Sequence, residues 1–254
     1  MRDAVSELMV RFPSPRVVAV IQARLTSTRL PAKIQLDLAG KTALERCVGR
    51  VQRIAGVSEV VVATSVDSSD DLVVSAAGRL GVRVVRGALD DVLGRFVSAA
   101  RETEADAVVR ITSDCPLLDP RESARVVARF LAGDVDYVSN TLTRRYPRGL
   151  DTEVFSREAL ERASSEAPAG PEREHVTLRM YSHAELFTCA GVTPEDGVDR
   201  SGHRWTLDTL EDYRMLYAIF EALGAREAAA SYVEVAEIAG RMTALNASVA
   251  QKRV

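Results

Sequence analysis

Short, unbroken apolar runs punctuate the first half of the chain. Val17-Val18-Ala19-Val20-Ile21 and Val60-Val61-Val62-Ala63 have no polar residue, and Val82 to Val85 and Ala107 to Thr112 are mostly apolar, as expected of strands covered on both faces. Stretches of helical periodicity separate them. Leu44, Cys47, Val48 and Val51 mark a helix within 42–54. An Asp/Ser-rich start at 67–71 leads a helix to about Arg79, and Asp90/Asp91 open another over 91–103. Asp119-Pro120, with Glu122 behind, reads as an N-cap followed by proline at the first helical position.

Buried strands alternating with helices predict βαβ units on a parallel sheet, with helices on both faces. The expected fold is therefore α/β: a Rossmann-like, doubly wound, mostly parallel sheet. Ligands bind such sheets outside the carboxyl ends of the strands, which selects the loops at 22–33, 64–71, 86–91 and 113–119. The second half is less regular. Strands are expected at 136–139, 152–155, 185–192 and 204–207, and helices at 158–165, 172–181, 210–223 and 226–245, with a break at Ala167-Pro-Ala-Gly-Pro171. This predicts a smaller α+β insertion, about 140–200, within a domain running from 16 to 224. An N-terminal extension (1–15) and a helical C-terminal tail (225–254) flank it.

Composition narrows the class. The 254 residues carry 33 Lys+Arg against 36 Asp+Glu, a net charge of −3, with 46% hydrophobic and 27% charged residues. These values fit a globular protein and exclude a nucleic-acid binder that works by bulk positive charge. Only Lys33, Lys41 and Lys252 are lysines and the other 30 basic residues are arginines, so an isolated arginine says little. Cys47, Cys115 and Cys189 form no CxxC pair, as expected of reduced thiols in a cytoplasmic protein. Residues 1–16 lack the apolar stretch of a signal peptide, and no apolar run approaches the roughly 18 residues of a membrane span.

The loop at 22–33 places Arg24, Arg29 and Lys33 with three hydroxyls directly after the first strand. Cations, hydroxyls and backbone N–H groups at a strand end are what a polyphosphate needs; a solvated Arg-rich loop is the bland alternative. No GxGxxG occurs. Gly40-Lys41-Thr42 fails as a Walker A ending because Gln35 stands where the earlier glycine belongs.

Five ordered segments then make a specific resemblance: Ile21-Gln-Ala-Arg-Leu-Thr-Ser-Thr-Arg-Leu-Pro-Ala-Lys33, Val84-Val-Arg-Gly-Ala-Leu-Asp-Asp-Val-Leu-Gly-Arg-Phe96, Arg110-Ile-Thr-Ser-Asp-Cys-Pro-Leu-Leu-Asp-Pro120, Tyr146-Pro-Arg-Gly-Leu-Asp-Thr-Glu-Val-Phe155 and Arg204-Trp-Thr-Leu-Asp-Thr-Leu-Glu-Asp-Tyr213. Across about 16–222 the chain resembles the cytidylyltransferases that make CMP-activated sugar acids, particularly the SpsF-like spore-coat-polysaccharide branch related to CMP-KDO and CMP-sialate synthetases. Ala32 departs from the glycine usual before the lysine. The resemblance implies a nucleotide-diphospho-sugar-transferase type of sheet. It also implies CMP transfer from CTP, with magnesium, to a small sugar acid or phosphorylated acceptor in surface polysaccharide synthesis, and a homodimer formed through the insertion.

Residue by residue, the resemblance implies that Arg24, Lys33 and Asp114 are catalytic and that Asp114 and Asp208 hold the metal. Lys33 is the first choice for the leaving pyrophosphate, assisted by Arg24, Arg29 and Ser27. Ala23, Thr64, Ser65, Arg86 and Asp91 would contact base and ribose by their strand-end positions, although Asp90 and Asp91 could equally cap the following helix. Arg110, Arg148, Glu153, His175 and Arg204 are candidates for the acceptor. Asp208 with Glu211 also reads as a capping box, and Asp119 reads as an N-cap alone. Two other readings are a metal-dependent glycosyltransferase using Asp134-Val-Asp136, which precedes a strand where a metal-binding DxD would follow one, and a non-catalytic nucleotide-binding protein.

Overall fold

The computed structural model describes residues 15–242. Residues 1–14 and everything after residue 242, including Lys252 and the last residues of the helix expected over 226–245, lie outside the described residues. Each apolar run of the first half becomes a strand: β1 (Val17–Gln22), β2 (Glu59–Ser65), β3 (Arg83–Gly87) and β4 (Ala107–Thr112). The intervening helices are α1 (Ala43–Val51), α2 (Asp71–Arg79) and α3 (Val92–Glu102), and α4 (Pro120–Leu131) follows β4. Thr42 and Glu45 close a capping box at α1, and Asp119 caps α4 by accepting from the Arg121 amide.

The remaining strands β5 (Tyr137–Ser139), β6 (Glu153–Ser156) and β7 (Cys189–Gly191) extend the same seven-stranded sheet, in the order β3-β2-β1-β4-β6-β5-β7. β1 to β4 are mutually parallel; β6 runs antiparallel to both β4 and β5, and β7 is parallel to β5. The order reverses between β1 and β4, which opens a crevice at their carboxyl ends.

Alternate residues of β1 serve opposite faces. Val17, Ala19 and Ile21 pack with α1, α2 and α4, while Val18 and Val20 pack with α3 and with α5 (Arg157–Glu166). A third apolar cluster joins Trp205 and Leu207 to α8 (Leu210–Leu223) and α9 (Tyr232–Arg241). Arg50 ties this cluster to the sheet, with hydrogen bonds to the carbonyls of Leu118 at 3.0 Å and Glu227 at 2.7 Å. Among the described residues no helix is long and apolar enough to cross a membrane.

Four expected elements differ. The helix expected over 226–245 starts only at Tyr232, after a 3-10 turn at Gly224–Ala228. The helix expected over 172–181 is two short pieces, α6 (Pro171–Glu174) and α7 (Leu178–Ser182), separated where Val176 adopts φ +39°. The strand expected over 185–192 shrinks to β7. Residues 204–207 form no strand, only a single parallel bridge between Arg148 and Arg204. Apolar spacing there reflected contacts with α8 rather than a sheet ladder.

Candidate active site

The loop after β1 is built around a buried carboxylate that carried no signal in the sequence. Asp70 accepts the Leu25 amide at 2.8 Å and both the amide (3.1 Å) and hydroxyl (2.5 Å) of Ser65. It thereby pins the loop to the end of β2. Ala23 donates its amide to the Ala63 carbonyl at 3.0 Å, and the loop closes on itself through Ala32 N–H to Leu25 O at 3.1 Å. Ala32 sits in the left-handed region at φ +53°, which suits the glycine that the resemblance leads one to expect at this position and costs an alanine roughly 1–2 kcal/mol. The loop then turns at Lys33 and delivers its ammonium inward.

Lys33 Nζ lies 2.6 Å from Asp114 Oδ2 and 2.7 Å from Asp208 Oδ1. Asp114 comes from the turn after β4, Asp208 from the stretch just before α8. Asp208 also receives Arg29 at 3.1 Å and Arg204 at 2.5 Å. Burial pushes the Asp208 carboxyl up, but Lys33, Arg29 and Arg204 outweigh it and hold it below the ordinary value. Burial likewise works against the Lys33 charge, yet the two carboxylates raise its pKa above the usual lysine value. The α8 capping box is displaced by one residue from the expected Asp208–Glu211: Thr209 caps and Asp212 reciprocates. Asp208 is therefore free of the cap, and its side chain faces the cleft.

Two half-buried carboxylates suit a hard cation whose remaining ligands are phosphate oxygens and water. Among the described residues no group of three or more His, Cys, Asp or Glu side chains is placed to hold a metal by itself. The donor set fits a divalent cation that takes its remaining ligands from phosphate oxygens and water.

These groups line a cleft of about 380 Å³ with Ala23, Arg24, Ser27, Arg29 and also Arg95. Arg95, on α3, is 2% exposed, and its Nε and Nη1 have no hydrogen-bond partner. It packs so tightly on Gly87 that a Cβ there would lie 2.8 Å from its Cγ. Burial lowers its pKa. An orphaned buried donor costs roughly 1–3 kcal/mol, and at a cleft wall a ligand acceptor removes that cost. Arg95 lay inside one of the sequence segments above but in an Arg-rich chain carried no distinguishing mark.

Four other nucleotide candidates do not line this cleft. The Thr64 side chain is wholly buried, and the Ser65 hydroxyl is committed to Asp70. Arg86 binds the carbonyls of Ser65 at 2.8 Å and Asp67 at 3.0 Å. Asp91 caps α3 through the Gly94 amide and holds Arg173.

A second cleft of about 620 Å³ adjoins the first; Thr112, His175 and Thr206 line both. Arg110, Glu153 and His175 line the second cleft, joined by Arg144 and Asp151, which the sequence did not single out. Arg144 grips Asp151 bidentately, both bonds 2.9 Å. Buried Glu153 pairs with Arg110 and accepts the Tyr137 and Thr177 hydroxyls, each at 2.6 Å. Burial would raise the Glu153 pKa, but Arg110 and the two hydroxyls keep it low. Arg148 is exposed and, like Arg204, lines neither cleft; Arg204 instead steadies Asp208 and Asp212. Asp136 of the DxD triplet accepts the Thr188 amide and hydroxyl, each at 2.9 Å, away from both clefts.

A doubly wound sheet whose first loop aims cations at paired carboxylates across its switch point defines a nucleotidyltransferase. More narrowly, residues 18–232 match the family model for cytidylyltransferases, and the chain belongs to that family. It is 31% identical over 217 residues to the spore coat polysaccharide biosynthesis protein SpsF of Bacillus subtilis, covering 83% of this chain and 88% of that protein. Its fold matches a cytidylyltransferase from Leptospira borgpetersenii with a TM-score of 0.85 and 33% identity, over 91% of this chain and 96% of the other. It also matches CMP:2-keto-3-deoxy-manno-octonic acid synthetase complexed with CTP, with a TM-score of 0.62 and 20% identity, over 82% and 99% of the two chains. The chain is a CTP-dependent nucleotidyltransferase.

Proposed function

We propose that this enzyme transfers CMP from CTP to an oxygen of a small anionic sugar acceptor and releases pyrophosphate. The reading rests on one observation above the others: Lys33 converges with Asp114 and Asp208 in a cationic cleft that opens directly onto a second, polar cleft. The first holds the nucleotide and the second the acceptor. In the reaction an acceptor oxygen bonds to the α-phosphorus in line as the bond to the β-phosphate oxygen breaks. Negative charge builds on the departing pyrophosphate. Lys33, Arg29 and Arg24 stabilise it there, and the hydroxyl of Ser27 assists.

Magnesium held by Asp114 and Asp208 would neutralise phosphate charge. Lys33 then exchanges a carboxylate partner for a phosphate oxygen, for which a compact ammonium is better suited than a planar guanidinium. Arg95 lines the nucleotide cleft, where its guanidinium is placed to donate to an acceptor of the base. Cytosine presents adjacent acceptors at O2 and N3, whereas uracil carries an N–H at the second position. Arg110, Arg144 and His175 orient the acceptor, and Asp151 and Glu153 receive its hydroxyls.

SpsF, named for spore coat polysaccharide biosynthesis, and 3-deoxy-manno-octulosonate cytidylyltransferase from Solibacter usitatus, 28% identical over 230 residues, support a role in surface-glycan precursor synthesis. Residues 140–200 carry exposed Leu142, Tyr181 and Leu186, which support a homodimer contact there, whereas Val154, Phe155, Met180 and Phe187 are buried in the monomer's own core. With CTP, magnesium and a panel of sugar acids and phosphorylated acceptors, the protein should release pyrophosphate, and Asp114→Asn should nearly abolish that release. Undiminished release by that variant would remove Asp114 from the metal site. Turnover of a nucleotide sugar without pyrophosphate would overturn the reading itself.

A further inference from the structure

His175 stands at the boundary of the two clefts, yet the segment that carries it has little structure of its own. Residues 167–177 pair with no strand, α6 has four residues, and two positions bend sharply: Gly170 at φ +104° and Val176 at φ +39°. A β-branched residue in the left-handed region is disfavoured, so its surroundings must hold it there. Val176 is fully buried in the core on the α3/α5 face. Thr177, next along, donates to Glu153.

The other end is held by Arg173 and, one residue earlier, by Glu172, which accepts from Arg179 at 3.1 Å. Arg173 Nε and Nη2 reach the two carboxylate oxygens of Asp91 at 2.9 and 3.0 Å, and its Nη1 donates to the Ser164 carbonyl at 3.1 Å. Burial pushes the Asp91 carboxyl up, but Arg173 and the Gly94 amide hold it low. Arg173 lines neither cleft. The next two residues do: Glu174, 3.8 Å from Arg24, lines the nucleotide cleft, and His175 lines both.

We propose that Arg173, gripped by Asp91, is a positioning residue for cytidylyl transfer: it sets residues 170–176 so that Glu174 and His175 are presented to the nucleotide cleft and to its boundary with the acceptor cleft. A planar bidentate pair fixes direction as well as distance, which a segment without its own ladder requires. The α3 cap therefore anchors the segment that joins the two clefts. This deepens the reading of the clefts given above and rests on it.

The test uses CTP with magnesium as the probe, by titration calorimetry, on the full chain. Asp91→Ser keeps a side-chain acceptor for the Gly94 amide and so keeps the cap, but removes the ion pair; Arg173→Met removes it from the other side. Each should weaken CTP binding on the order of tenfold, equivalent to about 1.4 kcal/mol, with Arg173→Lys in between. In a Glu174→Ala/His175→Ala background Arg173→Met should add nothing, because neither side chain is left to present. Amide exchange should quicken over 170–177 in Asp91→Ser and stay unchanged elsewhere, a readout that holds even if Arg173→Met folds poorly. The inference is overturned if Asp91→Ser and Arg173→Met bind CTP as wild type does. It is equally overturned if the Arg173→Met penalty persists in the double-alanine background, or if that background itself binds CTP normally. A wild-type chain with no affinity for CTP would instead sink the functional reading beneath it.

Discussion

Gly149 sits in the turn that joins the acceptor side of the site to the segment carrying Asp208, and replacing it with alanine should damage both stability and nucleotide binding. Its φ of +106° lies where side-chain-bearing residues rarely go, a cost of about 1–3 kcal/mol. The added Cβ would stand 2.8 Å from the carbonyl carbon and oxygen of Trp205 and 3.1 Å from the Thr206 nitrogen. These are peptide atoms and cannot rotate away. They belong to the bridge in which Trp205 N–H reaches Arg148 O at 2.7 Å and Arg148 N–H reaches His203 O at 3.1 Å. A shift that relieves the clash weakens one such bond, costing about 1 kcal/mol more.

The total for Gly149→Ala is then about 2–4 kcal/mol, or roughly a 5–15 °C fall in Tm for a chain of this size. The displacement should reach Thr206, which lines both clefts, and the Leu207 amide, which binds the Asp114 carbonyl at 2.9 Å. Gly197→Ala is the control: φ is +67° there and nothing lies within 4 Å of the new Cβ. It should cost only about 1–2 kcal/mol, with CTP affinity intact. Differential scanning calorimetry and CTP titration on both variants decide the matter. Equal losses in the two, or a Gly149→Ala Tm within about 1 °C of wild type, would refute the close-approach argument.

Arg95→Met should leave the ligand-free protein as stable as wild type or slightly more so, because it removes two buried unpartnered donors, while CTP affinity falls about tenfold or more; a clear loss of Tm would show that Arg95 is partnered within the protein. Acid and alkali should act on two buried charge centres, Lys33 with Asp208 and Arg110 with Glu153. Asp208 and Glu153 have folded pKa values below their ordinary values of 3.8 and 4.5, so their contribution is complete above the unfolded values and disappears as pH falls through the lowered ones. Lys33 is raised above 10.5, so its contribution is present below that value and is lost as pH rises through the higher folded one. Stability should therefore hold through neutrality and fall on both sides, and Asp208→Asn should flatten the acid limb in thermal melts across pH; an unchanged acid limb would contradict the linkage.

The sequence alone determined the α/β class, because short β-branched apolar runs bounded by turn residues fit strands with both faces covered, and helical spacing between them leaves little choice of topology. β4 and α8 appear at their expected limits, residues 107–112 and 210–223. Position after a strand also located Lys33 and Asp114 without any contact being visible. Local pattern failed where partners are distant in the chain. Apolar positions at 204–207 serve α8 rather than a ladder, and the helix expected over 172–181 breaks at Val176 because the core claims that side chain. Only the tertiary structure moved the α8 cap to Thr209 and so freed Asp208 for Lys33, a residue 175 positions away. Only it separated Arg95, buried and unpartnered, from the many arginines bound in ion pairs, and turned Asp91 from a nucleotide contact into the anchor of Arg173. A local cap competes over three or four residues and leaves a signature in sequence. A buried ion pair or an orphaned donor depends on which distant groups the fold brings alongside it, and one sequence does not record that.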